Sequence, residues 1–284
     1  MYRISTERVE ALSELPLEDV AALACGHSLA GVPLVCARME RGGDVYVGTL
    51  EAVPGQAKAR EPLGASQMDR IHTTDGVPLR ATAAAVGQDG TVLVADGDGA
   101  LWWSQAGQSG AVGGTGGPSS LAELFWRPST ADPITAIACG GGHCLALTRA
   151  GELLTWGSGR QGQLGHGDDA DAPSPRPIQM GRAGLRFVSI AAGHAHSAAT
   201  CSRFHLFTWG DGGDGRLGHD ASEPRRRTAP TELGAPRACE VAAGITDTQL
   251  GLSDSWRAPA LGERHSGGLT RDGAVLTCMW PLDS

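Results

Sequence analysis

A glycine pattern typical of dinucleotide-binding loops occurs in WGSGRQGQLGHGD, residues 156–168, where Gly157, Gly159 and Gly162 follow a strand-like segment. Such a loop binds a pyrophosphate only if its glycines open a helix, because the N–H groups of the first helical turn hold the phosphates. The next residues, DDADAPSPRPIQM, contain three prolines, which exclude a helix there. The same spacing recurs from Trp209 as WGDGGDGRLGHD. Two copies favour a structural repeat, and we predict that the chain binds no cofactor.

Cysteine and histidine cluster in the segment CGGGHC, where Cys139, His143 and Cys144 have the ligand types of a zinc site. In the next copy of this segment, AGHAHS, the two cysteines are replaced by Ala192 and Ser197, whereas the histidine is kept. A metal site would need the sulfur ligands as well. We therefore predict no metal, and a buried histidine that donates a hydrogen bond to a carbonyl of a neighbouring strand.

Catalytic motifs are absent from the sequence. It contains no GxSxG nucleophile elbow, no GxxxxGK[ST] phosphate loop and no HExxH metalloprotease helix. Ser158 lies between two glycines, but its counterpart in the second copy is Asp211, and no base is placed to activate it. We predict no catalytic residues and no enzyme activity carried by this chain's own side chains.

Composition and charge limit the partners and the compartment. The 284 residues include 23 basic and 31 acidic side chains, a formal net charge of −8, which disfavours DNA binding. The seven cysteines are odd in number and form no CxxC pair, as is typical of a reducing compartment. No apolar run approaches the ~20 residues of a membrane span, and the N-terminus MYRISTERVEALSEL lacks the apolar stretch of a secretory signal. We expect an intracellular protein, cytoplasmic or nuclear.

The segments that position the two glycine loops are themselves copies, 53 residues apart. Composition alone does not place tryptophan, histidine and glycine in one register, so the period indicates internal duplication. The positions shared by residues 134–167 and 187–220 include Gly140/Gly193, His143/His196, Trp156/Trp209, Gly157/Gly210, Gly162/Gly215, Leu164/Leu217 and Gly165/Gly218.

Each unit has three short strands, which in the best-preserved copy are ITAIACG, HCLALT and, after a turn at Gly151, ELLTWG. A glycine-rich loop and a proline-rich connection lead to the next unit. Weaker copies lie upstream and at the end of the chain, where Gly262, His265 and Gly273 keep their places. We place an N-terminal extension at 1–19 and a repeat domain at 20–284, with units at about 20–60, 80–115, 134–178, 187–232 and 262–284 and a truncated unit at 240–255.

The unit at 134–167 resembles the repeat of the regulator of chromosome condensation family. The resemblance rests on Ala138-Cys139-Gly140, His143, the run LALT, Gly151, Trp156-Gly157 and the loop GQLG. It implies an all-β fold, a β-propeller in which successive blades pack on one another. Family rings usually have about seven blades, and this chain supplies five recognisable units and a fragment. We predict an incomplete or irregular propeller that is prone to self-associate through its terminal blades or needs a partner that covers them.

Three further expectations concern local structure. Trp156 and Trp209 are predicted to be buried between blades. The loop glycines are predicted to permit positive φ and close backbone approach. Helix is expected only in TERVEALSE near the N-terminus and in LAELFW at 121–126.

The function that the resemblance implies is a non-enzymatic interaction module or scaffold that presents its loops to another protein. One alternative is guanine-nucleotide exchange on a Ran-like small GTPase, the activity of the founding member of the family; the face and hairpin that perform it are not located in this sequence. A second alternative is the repeat portion of a larger ubiquitin ligase, although no catalytic domain is present among these residues.

Overall fold

The computed structural model describes residues 20–27, 33–51, 64–70, 78–104, 124–126, 132–180, 184–219, 226–233, 256–271, 273 and 275–278. These residues form strands β1 to β19, arranged in five antiparallel sheets that are numbered I to V in chain order. They include no α-helix, only a short 3-10 turn at Gly213–Gly215. Within the same ranges, no helix is long and apolar enough to cross a membrane. The chain divides into two compact units, Met1–Pro133 and Ile134–Ser284.

The first unit contains sheets I and II. Buried side chains of both sheets, among them Val47, Val92 and Val94, form its core. Within each sheet, strands that are consecutive in the chain pair with one another. Sheet I consists of β1 (Val20–His27), β2 (Pro33–Met39), β3 (Val45–Glu51) and β4 (Gly64–Arg70), and sheet II of β5 (Ala81–Val86), β6 (Val92–Asp96), β7 (Leu101–Ser104) and β8 (Leu124–Trp126).

The second unit contains sheets III, IV and V with the same meander topology. Sheet III consists of β9 (Ile134–Cys139), β10 (His143–Thr148), β11 (Leu153–Gly157) and β12 (Ala172–Pro177). Sheet IV consists of β13 (Phe187–Ala192), β14 (His196–Cys201), β15 (Leu206–Asp211) and β16 (Arg226–Glu232). Sheet V consists of β17 (Trp256–Leu261), β18 (Ser266–Thr270) and β19 (Val275–Cys278).

The fourth strand of sheets III and IV comes from the segment that was expected to be a connection. β12 has the sequence APSPRP and pairs only with β11, and β16, RRTAPTE, pairs only with β15. An outermost strand needs ladder hydrogen bonds on one side only, so proline, which has no N–H, is tolerated there. A complete unit of this repeat therefore has four strands, one more than its apolar pattern predicts.

Two boundaries differ from the sequence expectation. Helix was expected in LAELFW, and this is wrong for Leu124–Trp126, because these residues pair with β7 as the outermost strand of sheet II. The last sheet begins at Trp256 rather than at Gly262, because the segment WRAPAL forms β17 and pairs with β18. The expected helix at 6–14 and the truncated unit at 240–255 lie outside the described residues. The all-β prediction is confirmed for the part of the chain that the structure describes.

Candidate interaction surface

Sheets III and IV are joined by a buried polar chain that starts at the repeat histidine. His143, the first residue of β10, is 1% exposed, and its Nε2 lies 2.8 Å from the Oγ of Ser197 on β14. The Ser197 hydroxyl donates its only hydrogen to the carbonyl of Gln163, at 2.9 Å. His143 Nε2–H must therefore be the donor to Ser197. The histidine is buried as predicted, but its direct acceptor is a hydroxyl, and the carbonyl lies one step further on.

Burial keeps the imidazole neutral. Burial, together with the nearby His196 and His194, lowers the pKa of His143 to about 3. Its Nδ1, the unprotonated acceptor nitrogen of this tautomer, is buried and has no hydrogen-bond partner among the described residues.

Sheets IV and V repeat the same arrangement. His196 Nε2 lies 2.9 Å from the Oγ of Ser266, whose hydroxyl donates to the carbonyl of Arg216 at 2.5 Å. Burial is the main cause that lowers the pKa of His196 to about 4, and Arg216 adds to it. Gln163 and Arg216 occupy equivalent loop positions, and because both contribute a backbone carbonyl to the chain, their side chains differ without breaking it.

Apolar side chains surround each polar chain. At the junction of sheets III and IV, Leu145 and Leu153 pack with Phe207 and Trp209. The indole Nε1 of Trp209 donates to the carbonyl of Gln163 at 2.8 Å, so this carbonyl accepts two hydrogen bonds. At the junction of sheets IV and V the core consists of Ala198, Leu206 and Trp256. Trp156 is also buried.

The glycine-rich loop of sheet III lies against sheet IV. Gly162 and Gly165 both have positive φ, and a Cβ at either position would come within 2.8 Å of sheet IV, at the carbonyl of Arg227 or at Nε1 of Trp209. Leu164 between them is buried. These glycines thus let the loop approach sheet IV closely enough for the Gln163 carbonyl to accept hydrogen bonds from Ser197 and Trp209. Positive φ recurs at the other repeat glycines Gly151, Gly157, Gly210, Gly215, Gly218 and Gly273, and Leu217 is buried like Leu164.

A second set of glycines makes room for the repeat histidines. Gly140, Gly193 and Gly262 each lie three residues before a histidine. A Cβ on any of them would come within 2.4 Å of the imidazole of His143, His196 or His265. The repeat sequence Gly-x-x-His is therefore a packing requirement of the turn that precedes β10, β14 and β18.

Sheet V carries the same positions, but here they are exposed. His265 is exposed, whereas its counterparts His143 and His196 are buried. Val275 is 72% exposed, whereas Leu153 and Leu206, at the same place in sheets III and IV, are 2% and 4% exposed. We call the side of sheet V that carries His265, Leu269 and Val275 the open face. It presents the same donor and apolar groups as the two junctions, and no sheet among the described residues of the second unit packs on it.

The cysteines and the histidine of CGGGHC do not converge. Successive residues of a strand point to opposite sides of the sheet, so Cys144 faces away from the side on which His143 meets sheet IV. Cys144 lies instead beside Cys139, with the two Sγ atoms 3.1 Å apart. Among the described residues, no group of three His, Cys, Asp or Glu side chains is arranged to hold a metal ion.

Sequence reasoning missed the two serines that accept from the histidines. Their signal is nonetheless present, because each directly follows a repeat histidine, as His196-Ser197 and His265-Ser266. Residue 144 holds a cysteine at the same place in sheet III, and this substitution hides the pattern.

Comparison with known proteins identifies the repeat. Models of the regulator of chromosome condensation (RCC1) repeat match residues 134–163 and 150–200. The E3 ubiquitin-protein ligase HERC2 of Homo sapiens is 35% identical over 198 residues, which are 66% of this chain and 4% of that protein. The ultraviolet-B receptor UVR8 of Arabidopsis thaliana is 35% identical over 148 residues, 52% of this chain and 29% of that protein. The chain therefore spans only a small part of the length of these relatives.

Solved structures agree on the fold. The crystal structure of human WBSCR16 matches 93% of this chain and 63% of its own chain, with a TM-score of 0.65 and 20% identity. That of Prp20p from Saccharomyces cerevisiae matches 96% of this chain and 60% of its own, with a TM-score of 0.62 and 20% identity. The predicted β-propeller class is confirmed, and the five sheets of the described residues fit an incomplete propeller. Residues 134–200 therefore carry repeats of the regulator of chromosome condensation type, within a chain that has the β-propeller fold.

Proposed function

We propose that the chain is a non-enzymatic protein-interaction module and that its partner docks on the open face of sheet V. One observation carries the proposal. Val275 is 72% exposed at a repeat position where Leu153 and Leu206 are 2% and 4% exposed. The same surface exposes His265, whose two counterparts are hydrogen-bonded donors inside junctions.

The chemistry of the two buried junctions indicates what the partner offers. Covering an exposed valine contributes roughly 1.5–3 kcal/mol, so the partner presents an apolar surface opposite Val275. A buried imidazole N–H needs an acceptor, because an unsatisfied polar group costs about 1–3 kcal/mol. The partner therefore supplies a hydroxyl or carbonyl oxygen opposite His265, as Ser197 does for His143.

Two relatives suggest more specific functions. The similarity to HERC2 favours the repeat portion of a larger ubiquitin ligase, within which the open face packs on another part of the same protein. The likeness to Prp20p, a protein whose binding to Gsp1p and histones has been characterised, supports guanine-nucleotide exchange on a small GTPase. That likeness is one of fold alone, and the open face has no feature that selects a GTPase. Of the possible partners, DNA remains disfavoured by the net charge of −8.

Site-specific photo-crosslinking tests the proposal. A photoreactive phenylalanine analogue replaces Val275 in the full chain, which is then irradiated in cell extract, and the cross-linked peptides are identified by mass spectrometry. The matched control carries the analogue at Val188, an exposed valine on β13 that is 52% exposed. We expect one protein to be enriched at 275 over 188, and we expect this enrichment to be lost on His265→Phe. Equal labelling from both positions would refute docking on the open face.

The identity of the cross-linked peptide separates the alternatives. A GTPase that is enriched when nucleotide is removed favours exchange, and a ubiquitin-conjugation component favours the ligase. A peptide from a second copy of this chain, together with a dimer in light scattering, indicates the self-association that the sequence predicts for terminal blades.

A further inference from the structure

Two cysteine side chains face each other on adjacent strands of sheet III. Cys139 ends β9 and Cys144 is the second residue of β10, and the two are directly opposite in the antiparallel register. Their Sγ atoms lie 3.1 Å apart. Cys144 is buried, and Cys139 is partly exposed beside the turn at 140–142.

The backbone around the pair suits a direct covalent bond. The Gly140 N–H donates to the carbonyl of His143 at 2.8 Å, which makes this neighbouring pair hydrogen-bonded and the Cys139/Cys144 pair non-hydrogen-bonded. In such a pair the Cα atoms are about 4.5 Å apart, within the roughly 4.4–6.8 Å that a disulfide spans. No change of register is needed to join the sulfurs.

The repeat fold does not require sulfur at these two positions. The counterparts of Cys139 and Cys144 are Ala192 and Ser197 in sheet IV, and Leu261 and Ser266 in sheet V. All three sheets form the same hydrogen-bonded turn before their second strand. Of these three sheets, sheet III has the thiol pair and the other two do not.

We propose that Cys139 and Cys144 form a reversible disulfide by exchange with a low-molecular-weight disulfide such as oxidised glutathione. The thiolate of Cys139, the more exposed sulfur, attacks one sulfur of the oxidant and displaces one glutathione thiolate. The thiolate of Cys144 then attacks the Cys139 sulfur of this mixed disulfide and displaces the second glutathione. One S–S bond is broken and one is formed, the two cysteine protons are taken up by the two released glutathiones, and the cysteines are oxidised as the glutathione is reduced.

The bond joins the ends of β9 and β10 without disturbing the junction with sheet IV. Both sulfurs lie on the side of sheet III opposite to Leu145 and His143, which pack against sheet IV. Oxidation therefore ties the turn before His143 and leaves the hydrogen bond from His143 to Ser197 in place.

Intact-mass spectrometry of the full chain tests the proposal. After incubation with oxidised glutathione, we expect the mass to fall by about 2 Da, the two hydrogens of one disulfide, with no glutathione retained. In the denatured oxidised protein, iodoacetamide should no longer label Cys139 and Cys144, and dithiothreitol should restore both sites. Hydrogen exchange of the amides at 140–143 should be slower in the oxidised form.

Two variants make the result specific. Cys139→Ser should abolish the loss of mass, whereas Cys201→Ala, which removes a buried thiol on β14, should leave it unchanged. The proposal is overturned if both thiols remain open to iodoacetamide after oxidation, or if glutathione stays attached to one cysteine without an internal bond. None of these outcomes depends on the open face of sheet V.

Discussion

The histidines at the start of β14 and just before β18 occupy the same place in the repeat but lie in opposite environments. His196 is buried, neutral and hydrogen-bonded to Ser266, whereas His265 is exposed. Leu206 and Val275 differ in the same way. Sheets III, IV and V each carry both groups, which form core where a neighbouring sheet packs on them and surface where they are exposed. The same repeat position is thus core in one sheet and surface in another.

Removing a junction tryptophan should produce the largest difference between the two regions. Trp209→Ala deletes a fully buried indole and its hydrogen bond to Gln163, and we expect the free energy of unfolding to fall by about 3–5 kcal/mol. Val275→Ala, on the open face, should change it by less than about 0.5 kcal/mol. Urea denaturation followed by tryptophan fluorescence measures both. A comparable loss for the two variants would show that Val275 is covered in solution.

Acid should weaken the buried junctions. The pKa of His143 is lowered from 6.5 to about 3 and that of His196 to about 4, so the unfolded chain binds more protons than the folded chain between pH 6.5 and 4. The contribution of these two histidines to the free energy of unfolding is fully present above pH 6.5 and is lost as the pH falls towards their lowered pKa values. Between pH 6 and 5 we expect the two histidines to account for about 2 kcal/mol.

Variants isolate that contribution from the titration of carboxylates. A double variant, His143→Gln with His196→Gln, should reduce the dependence of the unfolding free energy on pH, measured by denaturant titration at each pH. Part of the dependence should remain, because burial also lowers the pKa of His219 to about 4. Val275→Ala, which removes no titratable group, should leave the dependence as it is. If the double variant keeps the full dependence, the buried imidazoles are not the cause.

Single histidine variants should show the same difference between a buried junction and the open face, with smaller changes in stability. His143→Ala leaves the Ser197 hydroxyl without its donor, at a cost of about 1–3 kcal/mol, whereas His265→Ala removes an exposed ring and should be nearly neutral. Thermal unfolding midpoints of the two variants provide the measurement. Equal shifts would mean that His265 also has a buried partner in solution.

The smallest loss of stability is expected for Gln163, which joins the buried polar chain through its backbone carbonyl. Gln163→Ala keeps the carbonyl that accepts from Ser197 and Trp209 and loses the side-chain hydrogen bond from the Gln161 N–H, so it should cost about 0.5–1.5 kcal/mol. Ser197→Ala breaks the buried chain itself and should cost more. If urea denaturation shows a larger loss for Gln163→Ala than for Ser197→Ala, the Gln163 side chain stabilises the junction more than the buried polar chain does.

The features that the sequence determines are those that every copy needs for its own fold. Gly140 and Gly193 must accommodate a histidine three residues later, and Trp156 and Trp209 are core residues of their strands. These requirements recur at a constant spacing, so the period, the β class and the buried histidines are readable from residue types alone. Residue types alone also argue against a dinucleotide-binding loop at GxGxxG, because prolines follow where such a loop requires a helix.

Only the tertiary structure decides what each repeated residue meets. The acceptor of His143 is Ser197, in another copy, and spacing within one unit says nothing of contacts between units. The proline-rich segments become strands because an edge needs one set of ladder bonds, which no local propensity reports. Val275 and Leu153 are equivalent in sequence, and their burial differs because sheet IV packs on Leu153, whereas no described sheet of the second unit packs on Val275. Burial depends on the neighbour, whereas a repeat encodes only its own residues.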